Sequence, residues 1–305
     1  MKPFEPMRFE ALPERPRRPH RFFEIEDERV SVTTPALGTL EVSVRRAGRG
    51  DPLVLVHGLM TSSYSFRYVI DRLAEDYEVL VFDLPGAGRS SVADAPLTPD
   101  ALAGFIGETM ATLGVRGARV VGNSMGGYLC MRLAMKDPGA MSRLVNLHSP
   151  GLATPRMWAL ETAMRLPGAA SVLDLLVRRD PLRWAFRNVH YYDESLKSLE
   201  EAREYGGPLM TPDGRRAFHS YLAHTLKASE MKRFEAELAA LDGFPIPLQL
   251  LYVRRDPMVP PVVGERLARA IPDAEMVWLS EGSHFAHVDA VDAFLAAARP
   301  FLAAG

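Results

Sequence analysis

The stretch Val120-Val121-Gly122-Asn123-Ser124-Met125-Gly126-Gly127-Tyr128 constrains this chain more than any other. It reads Gly-x-Ser-x-Gly, directly after an apolar, strand-like run and directly before an amphipathic, helix-like one. A strand that turns sharply into a helix strains the residue at the corner, and the positions two before and two after it must lack side chains. Gly122 and Gly126 meet that demand, which makes Ser124 a candidate nucleophile. The pattern is short enough to arise by chance, so its weight depends on its surroundings.

Those surroundings are a series of continuous apolar runs: Pro52–Val56, Tyr77–Phe82, Ala118–Val121, Leu144–His148, Pro247–Val253 and Glu275–Leu279. Runs without alternation are expected of strands buried on both faces, as in parallel sheets. Helical patterns separate them, over Ser62–Glu75, from Thr98 as N-cap with Pro99 at the first position, after Ser124, over Val262–Ala270, and over Val288–Leu302. Alternating strands and helices predict an α/β protein with a doubly wound, mostly parallel sheet. Val30–Thr33 and Leu40–Val44 alternate apolar and polar residues and predict an antiparallel pair at a sheet edge.

Between residues 151 and 243 the alternation breaks, and the pattern is helical throughout, with an N-cap at Thr211-Pro212-Asp213 and Phe218, Leu222 and Leu226 at helical spacing behind it. So long a stretch is no loop, and it predicts a helical subdomain inserted between two strands. The expected organisation is an N-terminal arm over 1–28, a core over 29–150 and 244–305, and an inserted cap over 151–243. The first twenty residues carry five prolines and the basic Arg15, Arg17 and Arg18 without an apolar period, which reads as a mobile or loosely docked arm.

A net charge of −2 gives no field that favours nucleic acid or an acidic membrane, so the expected partner is a small, mainly neutral molecule. Monomer and homodimer are both compatible with the composition. The lone Cys130 reads as a small core residue. No apolar run has the length of a membrane span and the first residues lack the apolar core of a signal peptide, so a cytoplasmic location is expected. His148, His190, His219 and His224 show no metal-ligand spacing and are expected in surface or cap packing. The turn Asp83–Ser90 contains Gly-x-Gly but continues with Arg89-Ser90, and reads as structural. Neither a metal nor an organic cofactor is expected.

A serine hydroxyl needs a base, an acid to orient that base, and donors for the developing oxyanion. Two strand ends supply candidates: Asp256 after the strand ending at Val253, and His284 after the strand ending at Leu279. With Ser124 they give the order Ser, Asp, His at the carboxyl ends of successive parallel strands, where such sheets gather their ligands.

From residue 29 to 303 the chain resembles the α/β-hydrolase fold superfamily. Four motifs carry the resemblance in order: His57-Gly58 after a buried strand, Asp83-Leu84-Pro85-Gly86-Ala87-Gly88-Arg89-Ser90, Gly122-Asn123-Ser124-Met125-Gly126, and His284-Phe285-Ala286-His287-Val288-Asp289. One departure is Val253, where the family often has Gly. The resemblance implies Ser124 as nucleophile, His284 as base, Asp256 as its orienting acid, and the amides of Leu59 and Met125 as the oxyanion hole, with both side chains flooring the pocket. It gives His57 the job of holding its loop and His287 a packing role. Met60, Asn123, Phe285 and Trp184 are the expected substrate contacts.

The loop His57-Gly58-Leu59-Met60 is similar to that of haloalkane dehalogenases, but Leu59 and Ser124 replace their halide-binding Asn and nucleophilic Asp, which disfavours dehalogenation and epoxide opening. Similarity to the carbon–carbon hydrolases of meta-cleavage products is partial, because those enzymes have a glycine-rich loop after His-Gly and usually Trp after the catalytic His. Here Leu59-Met60-Thr61 and Phe285 stand instead. The expected activity is therefore hydrolysis of short to medium, apolar carboxylic esters, with carbon–carbon hydrolysis and low-turnover ligand binding as alternatives.

Overall fold

The computed structural model describes residues 4–304. Alternate residues of its apolar strands serve opposite faces of one sheet. In β3 (Pro52–Val56), Leu53 and Leu55 join one apolar layer while Val54 and Val56 join the other. In β4 (Glu78–Phe82), Val79 and Val81 face the first layer and Leu80 and Phe82 the second. Burial on both faces is why these strands show no polar alternation.

The remaining strands are β1 (Asp27–Thr34), β2 (Gly38–Ala47), β5 (Ala118–Asn123), β6 (Met141–Leu147), β7 (Leu248–Val253) and β8 (Glu275–Leu279). They form one eight-stranded sheet in the order β1-β2-β4-β3-β5-β6-β7-β8. β1 and β2 pair antiparallel, β2 meets β4 antiparallel, and all later pairs are parallel. This is the expected doubly wound, mostly parallel sheet with an antiparallel edge.

The core helices are α1 (Ile70–Leu73), α2 (Pro99–Thr112) and α3 (Met125–Lys136). Thr98 caps α2 through its side chain, which accepts from the Ala101 amide at 3.2 Å. The helix expected over Ser62–Glu75 is instead a 3₁₀ turn at Ser63–Phe66 followed by the single turn α1. Residues 61–70 are all buried, so this segment has no solvent face for an amphipathic helix, and Asp83 Oδ1 claims the Ser63 amide at 2.7 Å.

Between β6 and β7 the chain forms α4 (Pro155–Met164), α5 (Ala169–Arg179), α6 (Pro181–Asn188), α7 (Leu199–Gly206), α8 (Pro212–Ser220) and α9 (Ala228–Ala239). A π-helical turn at Tyr221–Thr225 follows α8. Most of these helices belong to the inserted segment expected to be a cap, called the cap below, and polar contacts fasten it to the core. Arg67 Nη2 meets Glu201 Oε2 at 2.6 Å, with side chains 0% and 5% exposed. Arg89 forks onto the two Glu204 oxygens at 3.1 and 3.0 Å. Tyr221 donates to the Pro85 carbonyl at 2.8 Å.

After β7 come α10 (Pro261–Ala270), α11 (Ala286–Asp289) and α12 (Val291–Ala303). The single closing helix expected over Val288–Leu302 is therefore interrupted. Ala290 leaves the helical region at φ −131° and ψ 49°, while Asp289 Oδ1 takes the Ser283 amide at 3.1 Å and Oδ2 the Tyr192 amide of the cap at 2.6 Å.

The arm also differs from expectation. Described residues 4–25 are docked on both cap and core rather than loosely attached; residues 1–3 lie outside the described residues. Phe22 is buried, with the Arg45 guanidinium 4.6 Å above its ring. Among the described residues, no helix is long and apolar enough to cross a membrane.

Candidate active site

Ser124 sits at the corner between β5 and α3 at φ 53° and ψ −122°, a region that side-chain-bearing residues rarely adopt. Its surroundings hold it there. A Cβ on Gly122 would lie 2.6 Å from the Gly127 Cα, and one on Gly126 would lie 2.5 Å from the His57 carbonyl oxygen. A third glycine, Gly127, is equally constrained, since its Cβ would meet the Gly122 oxygen at 2.8 Å. The Ser124 amide donates to the Leu147 carbonyl at 2.7 Å, which ties the corner to β6.

Asp256 and His284 follow β7 and β8. The carboxylate of Asp256 is fixed by its own turn, with Oδ1 accepting from the amides of Met258 at 2.6 Å and Val259 at 2.9 Å. Its Oδ2 accepts from His284 Nδ1 at 2.7 Å, and both side chains are buried. Burial alone would raise the Asp256 carboxyl, but the His284 charge and hydrogen bond and the Val259 amide hold it below the usual carboxylate range. With Nδ1 facing the carboxylate, Nε2 of His284 is left to act as a base. Val253, the departure from the family pattern, is compatible with this contact.

Ser124 and His284 line one cavity of about 850 Å³ beneath the cap. Leu59, Met60, Trp184 and Phe285 line it too. Among the described residues, the backbone amides of Leu59 and Met125 have no hydrogen-bond acceptor. They flank Ser124 from the β3 loop and from the first position of α3, so both remain available to an oxyanion.

Two expected roles change. The Asn123 side chain is fully buried and absent from the cavity wall; its Nδ2 donates to the His284 carbonyl at 3.1 Å, so it holds the histidine loop instead of touching substrate. The Met125 side chain is turned into the core and does not floor the pocket. The reason is alternation: Asn123 ends a strand and Met125 opens a helix, and only the corner between them faces the cavity.

His57 spans its loop, with Nδ1 on the Gly58 carbonyl at 2.8 Å and Nε2 accepting from the Leu84 amide at 2.9 Å. His287 is buried against the Phe66 ring at 4.8 Å and does not reach the cavity. Asp83 organises the turn before Ser90, taking the Arg89 amide on Oδ2 at 2.9 Å.

His148 was expected in surface or cap packing, but it is fully buried, with its ring 5.5 Å from that of His284. Both its ring nitrogens lack protein partners, and its backbone has φ 55°. Burial pushes its imidazole down to about 3, so it is neutral at any working pH. Its position just past the end of β6 was the available signal. His148, Asp256 and His284 bring ligand atoms within 4.8 Å of one another, two imidazoles and a carboxylate that sequence spacing did not reveal. The Asp256 oxygens are already taken by two amides and by His284 Nδ1, which leaves Nε2 of His284 and both ring nitrogens of His148 uncommitted.

The cavity is not uniformly apolar. Arg156, Arg187 and the Glu194–Lys197 ion pair, 2.5 Å between charged atoms, also contribute to its lining. Of the aromatics between residues 151 and 243, Trp184, Phe186 and Phe218 line it, Trp158 is 43% exposed, and Tyr191 and Tyr221 are buried as structural hydroxyl donors.

Residues 51–291 match the model of a family described as the alpha/beta hydrolase fold. The chain is 26% identical over 236 residues to the uncharacterized hydrolase YugF of Bacillus subtilis, covering 76% of this chain and 82% of that protein. It is 28% identical over 264 residues to a 2-hydroxy-6-oxononadienedioate/2-hydroxy-6-oxononatrienedioate hydrolase of Burkholderia vietnamiensis, covering 84% of this chain and 88% of that one. In structure it is similar to a thermophilic esterase from Thermogutta terrifontis, with TM-score 0.72, 24% identity, and coverage of 90% of this chain and 98% of the other. At that identity the likeness concerns the fold.

Proposed function

This chain belongs to the alpha/beta hydrolase fold family, and on that premise we propose that it is a serine hydrolase cleaving carboxylic esters of short to medium, mainly apolar substrates through an acyl-enzyme. The observation that carries the proposal is the 2.7 Å bond between His284 Nδ1 and Asp256 Oδ2, with His284 and Ser124 opening onto the same cavity.

In this mechanism Ser124 Oγ attacks the ester carbonyl carbon while His284 Nε2 takes its proton. The carbonyl π electrons move to oxygen, where the Leu59 and Met125 amides receive the negative charge. Collapse expels the alcohol, which takes the proton from His284, and leaves the acyl group on Ser124. Water then adds to the acyl carbon with His284 again as base, and the second collapse releases the acid and restores Ser124. Asp256 fixes the imidazole tautomer and stabilises the imidazolium formed in each step. Asn123 and Asp289 position the loop that carries His284, through its carbonyl and the Ser283 amide.

A second reading is carbon–carbon hydrolysis of a vinylogous diketone, and the similarity to the 2-hydroxy-6-oxononadienedioate/2-hydroxy-6-oxononatrienedioate hydrolase favours it. Leu59-Met60-Thr61 and Phe285, which replace that group's glycine-rich loop and tryptophan, weigh against it. The test is a panel of aryl esters and vinylogous diketones, beside covalent labelling by a fluorophosphonate. Ester turnover and labelling, both lost in Ser124→Ala, are the expected results. Diketone turnover without ester turnover would select the second reading, and labelling that persists in Ser124→Ala would overturn the nucleophile.

A further inference from the structure

The N-terminal arm is the part of the chain that neither the sheet nor the catalytic geometry explains, and it meets the cavity directly. Phe4, Pro6 and Met7 form part of the cavity wall. The Phe4 amide donates to the Tyr192 carbonyl at 2.9 Å, and the two rings meet edge to face at 5.5 Å. Two residues past Met7, Phe9 packs edge to face at 5.5 Å on Phe186, itself a wall residue, with the Arg183 guanidinium 4.9 Å above its ring. Arg183 also pairs with Glu10 at 2.6 Å.

The next anchors continue along the cap. The amides of Leu199 and Glu200 donate to the carbonyls of Pro13 and Glu14 at 2.9 and 3.0 Å, and Arg203 pairs with Glu14. The chain then crosses to the core. Arg18 donates to the Val288 carbonyl at 2.9 Å, and His20 Nε2 sits 2.8 Å from Glu200 and 3.3 Å from the Tyr64 hydroxyl. The frequent prolines suit this path, because an arm laid across cap and core loses less backbone freedom where φ is already fixed.

We propose that residues 4–14 are a specificity strap: anchored on α6 and α7, they hold Phe4, Pro6 and Met7 as the end wall of the chain-binding cavity and so set the longest alkyl or acyl group it accepts. The proposal rests on the ester-hydrolase reading for its substrate class, but not for its geometry. A longer chain must displace these three residues, whereas a shorter one fills the apolar space before reaching them. Each methylene buried should tighten binding about fourfold until the wall is met, and then add nothing.

The experiment compares the full chain with a form lacking residues 1–7 and, in case that form folds poorly, with the full-length double variant Phe4→Ala/Met7→Ala, which keeps the Glu10 and Glu14 anchors. The readouts are kcat/KM for aryl esters from acetate to laurate and, independently of any chemistry, calorimetric Kd values for n-alcohols from butanol to dodecanol. The full chain should show a length beyond which neither kcat/KM nor affinity improves. In both altered forms that limit should move out by at least about two carbons, raising the longest-to-shortest ratio by about tenfold or more. An unchanged limit in both forms overturns the strap. Should no ester be turned over, the alcohol series still decides the strap, while the ester reading fails separately.

Discussion

Replacing Glu201 by leucine tests whether the buried contact between core and cap holds the molecule together as its geometry implies. Glu201 is buried in α7, and its Oε2 accepts from Arg67 Nη2 at 2.6 Å and from the Tyr191 hydroxyl at 2.7 Å. Burial pushes the Glu201 carboxyl up even beside Arg67, a sign of how much the surroundings charge for a carboxylate there. Leucine matches much of the volume but leaves two buried donors without their partner. An orphaned neutral donor costs about 1–3 kcal/mol and a charged one more, and removing one member of a buried pair costs about 3–5 kcal/mol. Solvent does not discount the figure, because the Arg67 side chain is 0% exposed. Other contacts retain part of it, since Arg67 stacks 4.4 Å from the Tyr64 ring and 4.5 Å from that of Tyr68. The expected loss is about 4 kcal/mol, read from urea unfolding with the slope unchanged. Replacing the ion pair and its hydroxyl donor together, as Arg67→Met/Tyr191→Phe/Glu201→Leu, should recover at least half of it, because the groups of the two short bonds go together and only the 3.4 Å contacts of Arg67 with the Tyr64 carbonyl and the Tyr205 hydroxyl are lost. A loss below about 1 kcal/mol in Glu201→Leu, or a triple variant no better than the single one, would refute this account of the junction.

Asp256→Asn should lower kcat by about 10³–10⁴-fold with little change in unfolding midpoint, since it corrupts the His284 tautomer more than the packing; activity within tenfold of wild type would remove Asp256 from its role. Gly126→Ala should cost about 1–3 kcal/mol and slow fluorophosphonate labelling of Ser124, because its Cβ would lie 2.5 Å from the His57 oxygen; an unchanged melting temperature would show that the corner relaxes freely. Burial raises the Asp289 carboxyl to about 6 from an ordinary 3.8, so the folded state retains a proton that the unfolded state releases, and the contribution of this group is fully present below about pH 4 and lost as pH rises through about 6. The stability of wild type relative to Asp289→Asn should therefore fall by up to about 3 kcal/mol between pH 4 and pH 7.5, and a difference independent of pH would contradict the shift.

What could be read along the chain is what neighbours in sequence decide. The glycines around Ser124 are demanded by contacts within one strand-to-helix turn and the loop beside it, so their spacing discloses the corner. Runs such as Leu53–Val56 disclose burial on both faces, and Thr98 and Thr211 disclose helix starts because a cap hydrogen bond spans three residues. The positions of Asp256 and His284 after apolar runs placed both at strand ends, but their meeting needed the parallel register of β7 against β8.

Tertiary structure decided the rest, wherever a residue's role comes from a segment remote in sequence. Nothing near Asn123 indicates that its amide reaches the His284 carbonyl, 161 positions away. His148 carries no local mark of its burial, because the groups that enclose it arrive from the ends of β7 and β8. The Ser62–Glu75 pattern permits a helix, and the burial of residues 61–70 on every side, with the Asp83 carboxylate on the Ser63 amide, breaks it. The arm is the sharpest case. Its prolines and arginines have the composition of a solvated tail, yet α6 and α7 offer the Arg183 and Arg203 guanidinium groups and the Leu199 and Glu200 amides to it, and the core offers the Val288 carbonyl, and a surface of that kind is written in the residues it docks on rather than in the arm itself.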